Sequence, residues 1–354
     1  MAQGSSERSV TLQVIADALG VSRSTISNAY NHPDHLSPDL LAKVLETAKE
    51  LSYPGPSPMG RKLRTGRNHA VGLVCSDSLS YAFNDEASIG FLRGLALACE
   101  NAKTSLLMIP DDSEQIISAA VDSLVVYSVP EQSPLMDAAL SKNIPIVIVD
   151  GANNVDSADF VGLDQRGSAG ATARYLAGMG HRHVAILCHR LHDDGYVGYV
   201  DERRVANSTY TVQRERVEGF RDAFLEATDG QGVIRMIERI VSNVTNGRMA
   251  AEALLRDFPD VTAISTTCDA LALGVLVAAE QLGLTVPDDL SVAGFDDIPS
   301  AVKANLTTTW QPLIEKGEVA GEMLLGHATN LRAHRRHLLP TKLQIRTTTG
   351  KAKT

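Results

Sequence analysis

"VIADALGVSRSTISNAYNHP", residues 14–33, carries small residues where a helix usually carries bulk, and a glycine in the middle. From Leu12 the apolar positions Leu12, Ile15, Ala16 and Leu19 recur at helical spacing, and Gly20 stops that helix after about two turns. A second helix follows at once, with Ser22 as its N-cap and Ile26, Ala29 and Tyr30 on its buried side, until Asn31, His32 and Pro33 end it. Small Ala16 lets the second helix approach, Gly20 permits the turn and Val21 fills the corner, which is helix-turn-helix geometry. The outer face then presents Arg23, Ser24, Thr25, Ser27 and Asn28, short donors and acceptors suited to base edges and phosphates in a major groove. On this stretch alone, an ordinary helical hairpin with a polar solvent face is the other reading.

Working outward, "LSPDLLAKVLETAKELSY" predicts a third helix with Ser37 as N-cap, Pro38 at its first position and Leu40, Leu41, Val44, Leu45, Ala48 and Leu51 inward. "PGPSPMGRKLRTGR", residues 54–67, has no apolar face and reads as a linker. Beyond it the period changes. Apolar runs such as "AVGLVC" (70–75), "SLVVYS" (123–128), "IPIVIVD" (144–150), "HVAILC" (183–188) and "LSVAGFD" (290–296) alternate with helical stretches in two sets. Continuous apolar strands are buried on both faces, so each set implies a parallel sheet between helix layers. Ligands in such sheets bind beyond the carboxyl ends of the strands, and two lobes offer the cleft between them.

Composition fits this division. Of 354 residues, 44% are hydrophobic, and the net charge is −9. Residues 1–67 hold eight basic against six acidic side chains, and the remainder 25 against 36, so a basic head precedes an acidic body. Cys75, Cys99, Cys188 and Cys268 are scattered without a CxxC, which argues for reduced thiols and against a disulfide framework or zinc site. The N-terminus has no apolar stretch and no run approaches ~18 apolar residues, so the expectation is a cytoplasmic protein without a membrane span. No nucleophile elbow, Walker loop or dinucleotide fingerprint occurs, and no cofactor is expected.

"VTLQVIADALGVSRSTISNAYN", the third helix and "LRTGR" resemble the headpiece and hinge of the LacI/GalR family of bacterial transcriptional regulators. The likeness continues in order through "IPIVIVDG", "GHRHVAIL", "RERVEGF", "CDALALGVL", "VPDDLSVAGFDDI" and "LTTTWQP". It implies an all-α headpiece over 1–56, a hinge over 57–67 and an α/β core of two Rossmann-like lobes of the type I periplasmic-binding-protein kind. The N-terminal lobe would take 68–163 and 312–333, and the C-terminal lobe 164–311 and 334–354. Position by position, Arg23, Ser24 and Asn28 fall where the family reads bases, and Ser22, Thr25, Ser27 and Asn31 where it grips phosphate. Leu63 falls on the hinge leucine that wedges between base steps, flanked by Arg61, Lys62 and Arg64. The approach "PGPSP" is one residue longer than the family's, and Gly60 replaces a common alanine.

For the cleft, the resemblance nominates Tyr81 or Phe83 as a stacking ring, Asp150 and Asp296 as strand-end acceptors, Arg216, Cys268, Asp269 and Gln311. The stretch between "VAILC" and "RERVEGF" is far longer than the family's loop; His189, His192, Asp193 and Asp194 within it lack metal-ligand spacing, and a solvated lid is the simpler reading. The resulting expectation is a homodimeric repressor of a pseudopalindromic operator, switched by a sugar, polyol or nucleoside-like effector, with no catalytic activity. A solute-binding protein without catalytic activity is the alternative.

Overall fold

The computed structural model describes residues 10–53, 55, 68–326 and 335–353, divided into a head and a core. In the head, α1 (Leu12–Leu19) ends on Gly20 at φ 63°, a left-handed backbone in which glycine carries no Cβ penalty. The Val21 amide donates to the Ala16 carbonyl at 3.0 Å and closes the turn. Ser22 caps α2 (Arg23–Asn31) by accepting from the Thr25 amide at 3.1 Å. The single turn Pro33–His35 leads to Ser37, which caps α3 (Pro38–Glu50). Ile15, Ala16, Ile26, Ala29, Val44 and Ala48 form the buried centre of the three helices. One expected core residue is outside it: Leu45 is 46% exposed, because it lies about 100° around the helix from buried Val44.

The core begins with β1 (Ala70–Cys75), α4 (Leu79–Ala82), α5 (Glu86–Asn101), β2 (Ser105–Ile109), α6 (Ser113–Ser118), β3 (Ser123–Tyr127), α7 (Pro134–Ser141), β4 (Ile146–Val149) and β5 (Asp159–Leu163). The second lobe follows with α8 (Gln165–Gly178), β6 (His183–His189), β7 (Gly198–Tyr199), α9 (Glu202–Ala206), α10 (Thr211–Ala227) and β8 (Val233–Arg239). It continues through α11 (Val244–Asp257), β9 (Ala263–Thr266), α12 (Asp269–Gln281), β10 (Ser291–Asp296), α13 (Pro299–Lys303) and β11 (Thr307–Trp310). The chain then returns to the first lobe with α14 (Leu313–Leu325) and β12 (Arg336–Leu339), and ends with β13 (Lys342–Gln344) in the second.

The first sheet runs β12-β5-β4-β3-β1-β2, all parallel, and the second β13-β11-β10-β9-β6-β8-β7, with antiparallel edge strands β13 and β7. Each sheet is apolar on both faces. Val71, Leu73, Val125 and Val147 meet Phe91, Leu95 and Ala320 on one side of the first, while Val74, Leu124 and Ile148 meet Ile116 and Met136 on the other. Ala185, Leu187 and Ile264 against Leu254 and Val275, and Val184, Ile186 and Cys188 against Phe220 and Phe224, repeat this in the second.

Two expectations need correction. The last passage between lobes falls after Leu339, not at residue 334, because Arg336–Leu339 pairs with Phe160–Leu163 and covers the otherwise unpaired edge of β5. The long stretch after β6 is not a solvated lid. Its Leu191, Val200, Val205 and Tyr210 are buried, β7 extends the sheet beside β8, and Arg204 spans Asp194 and the fully buried Glu238.

Helices α5 and α14 touch backbone to backbone. A Cβ on Gly94 would lie 1.8 Å from the Ile314 carbonyl oxygen, and one on Gly317 would lie 2.1 Å from that of Phe91. Gly94→Ala is therefore expected to lower stability by about 1–3 kcal/mol in urea unfolding. Gly178→Ala, where a Cβ meets nothing within 4 Å, should instead be neutral or stabilise by up to about 1 kcal/mol.

Candidate functional site

On α2, Ser22, Arg23 and Ser24 are exposed and Thr25, Ser27, Asn28 and Asn31 half-buried, so these seven candidates form one polar edge of the head. The Ser22 hydroxyl lies 2.6 Å from that of Ser24 and 2.8 Å from that of Thr25, a cluster of hydroxyls at the helix start. The Asn31 amide donates to the Ser27 carbonyl at 2.6 Å and ties the last turn of the helix. Arg61, Lys62, Leu63 and Arg64 lie outside the described residues.

In the core, the strand ends of both lobes converge on a cleft of about 100 Å³. Ser128 after β3, Asp150 after β4 and Asp296 at the end of β10 all line it, and all have positive φ, at 55°, 49° and 121°. Non-glycine residues in such conformations cost energy and cluster at functional sites; aspartate tolerates them better than most. The backbone thus turns at each strand end and aims a short polar side chain into the cleft.

Six side chains, four of them in the lining and Gln165 and Lys316 behind it, close a ring. Lys316 Nζ donates to Asp150 Oδ2 at 2.5 Å and also to Gln311 Oε1. Asp150 Oδ1 accepts from Gln165 Nε2 at 3.4 Å, and Gln165 Oε1 accepts from Arg216 Nε at 2.8 Å. Arg216 reaches Asp296 Oδ1 at 3.5 Å, and the same oxygen accepts from Gln311 Nε2 at 2.6 Å. No member is more than 9% exposed. Asp150 belongs to the first lobe, as does Lys316 on α14, whereas Gln165, Arg216 and Asp296 belong to the second and Gln311 to a passage between them. Arg216 is further held by the Thr267 carbonyl at 2.6 Å and by the Phe295 ring, 3.6 Å from its guanidinium carbon. Burial raises the Asp296 carboxyl to about 6, with Arg216 opposing the shift. Burial lowers the Lys316 ammonium, and Asp150 opposes that.

Of the expected cleft residues, Tyr81, Asp150, Arg216, Cys268, Asp296 and Gln311 meet around this space. Tyr81 crosses the cleft, its hydroxyl donating to the Ser242 carbonyl at 3.3 Å. Cys268 presents a protonated thiol, since burial pushes it to about 12. Phe83 is 59% exposed and does not line this cleft. Asp269 is also elsewhere. Its carboxylate is fully buried, accepting from Thr308 Oγ1 at 2.6 Å and the Ile298 amide at 3.0 Å, in space left by the missing side chain of Gly294. In the long stretch, His189 reaches the cleft and donates through Nε2 to the Ile240 carbonyl, His192 meets the Arg204 carbonyl, and Asp194 is taken by Arg204. Sequence reasoning missed Asp77, Asp85, Gln213, Gln165 and Lys316. Only Lys316 left a trace, as a cation on the apolar stripe Leu313, Gly317, Ala320 and Leu324.

Residues 173–349 match the model of the periplasmic binding protein-like domain. The chain is 39% identical to the HTH-type transcriptional regulator IpsA of Corynebacterium glutamicum over 89% of this chain and 90% of that one. It is 38% identical to an HTH-type transcriptional regulator of Mycobacterium tuberculosis, over 90% and 91%. A LacI family transcriptional regulator of known structure from Corynebacterium glutamicum superposes with a TM-score of 0.73 at 34% identity, covering 96% of this chain and 98% of that one. The chain belongs to the LacI family of transcriptional regulators. A solute-binding protein is thereby set aside, since the similarity to these regulators spans nearly the whole chain. Among the described residues, no helix is long and apolar enough to cross a membrane.

The raised carboxyl of Asp296 has a consequence for pH. Between its unfolded value of 3.8 and its folded value of about 6, the native state holds a proton that the unfolded state has lost. Native stability therefore falls as pH rises through that window. Asp296→Asn removes this contribution, so its stability relative to wild type should rise by an amount on the order of 2 kcal/mol between about pH 4 and pH 7. Urea unfolding at both pH values measures it; a difference that stays constant contradicts the buried-carboxyl account.

Proposed function

We propose that this regulator is a homodimeric repressor that grips a pseudopalindromic operator with α2 of each head and releases or tightens that grip when a small polyhydroxylated effector fills the cleft. The observation that carries the effector reading is the convergence of Asp150, Arg216, Asp296 and Gln311, drawn from both lobes, on one enclosed space. Carboxylates, an amide and a guanidinium so arranged can hydrogen-bond a ring bearing several hydroxyls, and the Tyr81 ring offers an apolar face beside them. At about 100 Å³, less than the ~150 Å³ that admits benzene, the cleft fits a single ring once the lobes part slightly. That size argues for a monosaccharide, cyclic polyol or nucleoside base rather than a larger molecule.

On DNA, Arg23 is assigned to a base edge together with Ser24 and Asn28. Ser22, Thr25, Ser27 and Asn31 are assigned to phosphates, Leu63 to a minor-groove wedge, and Arg61, Lys62 and Arg64 to the backbone around it. Two heads on one palindrome require a dimer.

Two experiments test this. Arg23→Ala should weaken binding to a palindromic operator fragment by roughly 1–3 kcal/mol and relax the preference at one base pair; unchanged affinity and preference remove Arg23 from the reading set. A thermal-shift screen of sugars, polyols, nucleosides and purines should find a ligand that stabilises the wild type and fails to stabilise Asp296→Ala. Stabilisation of both to the same extent would move the effector elsewhere.

A further inference from the structure

The carboxylates that line the cleft are each matched from within the protein. Asp77 pairs with Arg190 at 2.5 Å, and Asp85 caps α5, accepting from the Ser88 amide at 2.9 Å and its hydroxyl at 2.7 Å. Asp296 faces Arg216, and Asp150 faces Lys316. Of these partners, Ser88 and Arg216 line the cleft themselves, whereas Arg190 and Lys316 do not. Lys316 differs from Arg190 in being fully buried behind Asp150, on a helix whose neighbouring inward positions are Leu313, Gly317 and Ala320.

A buried ammonium is costly unless paired, and removing either partner of a buried pair leaves an uncompensated charge. At this place the uncompensated charge would face the ligand. An anion entering the wild-type cleft meets four carboxylates and no spare cation, since Arg216 is already held by Gln165, the Thr267 carbonyl and Asp296. A cation finds three of the four carboxylates already paired with a cation, and only Asp85, which meets the Ser88 amide and hydroxyl, without one. Uncharged hydroxyls can both donate to and accept from the ring without disturbing its balance.

We propose that Lys316 sets the charge selectivity of the cleft: by neutralising Asp150 from behind, it fits the site to an uncharged effector and rejects charged analogues of the same shape. This rests on the effector reading of the cleft and narrows it. The sign of the selectivity is held in one pair. Removing the ammonium leaves a lone carboxylate that welcomes an amine, and removing the carboxylate leaves a lone ammonium that welcomes an acid.

The test uses the full chain and two matched triads, glucose with glucosamine and glucuronate, and galactose with galactosamine and galacturonate. Binding is followed calorimetrically at about pH 7, above the range in which the Asp296 carboxyl titrates and where the amines still carry charge. Wild type is expected to bind the neutral member of a triad about tenfold or more tighter than its amine or its acid. In Lys316→Met the ratio of neutral sugar to amine should fall by about tenfold, whereas a merely structural lysine would weaken all three members by one common factor. Should that variant fail to fold, Asp150→Asn decides, with the preference moving toward the acid. A common weakening in the variants, or an unchanged order in Asp150→Asn, overturns the proposal. So does wild-type binding of an acid or amine as tight as the neutral sugar, which leaves the cleft standing as an effector site. Binding of no member to wild type overturns this proposal and the sugar reading together.

Discussion

Two buried ion pairs, Lys316 with Asp150 and Arg216 with Asp296, joined through the amides of Gln165 and Gln311, bind the two lobes of this regulator at the base of their cleft. Charges at this depth are tolerated only when paired and hydrogen-bonded. Opening or closing the lobes must keep the ring intact or rebuild it, so the number of acceptable inter-lobe arrangements is small. On the proposed function, a ligand that exchanged hydrogen bonds with Asp150 and Asp296 would act on that short set of states, which would give a small molecule leverage over a large structure.

The rest of the core serves to place those side chains. Parallel strands deliver Asp150 and Asp296 at their carboxyl ends, and the left-handed backbone there turns each carboxylate inward. The close contact of α5 and α14 across Gly94 and Gly317 fixes the helix that carries Lys316. Asp269 and Thr308 do comparable work one layer deeper, tying α12 to β11 beneath the cleft floor. Across the mouth, Arg190 with Asp77, and Thr211 Oγ1 donating to Glu131 at 2.7 Å, add further links between lobes.

Much of this was legible in the sequence where the cause is local. Gly20 and Ser22 announce a turn and a cap because φ and side-chain reach are properties of a few neighbouring residues. The apolar runs announce buried strands for the same reason, and the strand-end aspartates follow from them. What was not legible depends on contacts distant in sequence. A strand-to-helix junction does not reveal that Gly294 opens a pocket for the Asp269 carboxylate, which leaves that side chain outside the cleft lining. Phe83 and Tyr81 are equivalent on paper; α4 turns one toward Ser242 and the other to solvent. The edge pairing of β12 with β5 joins residues far apart along the chain, so the last passage between lobes was set too early. Lys316 was visible only as an oddity on an apolar helix face.

The proposed function requires DNA reading by the head and ligand binding in the cleft to be coupled. Thermodynamic linkage makes that coupling reciprocal: if ligand changes operator affinity by a factor, operator must change ligand affinity by the same factor. The most direct measurement is therefore the affinity of a cleft ligand for the full chain, free and saturated with operator fragment, set beside operator affinity with and without that ligand. The account predicts one shared factor, about 5–150 in size. Equal ligand affinity for the free and operator-bound protein would contradict it.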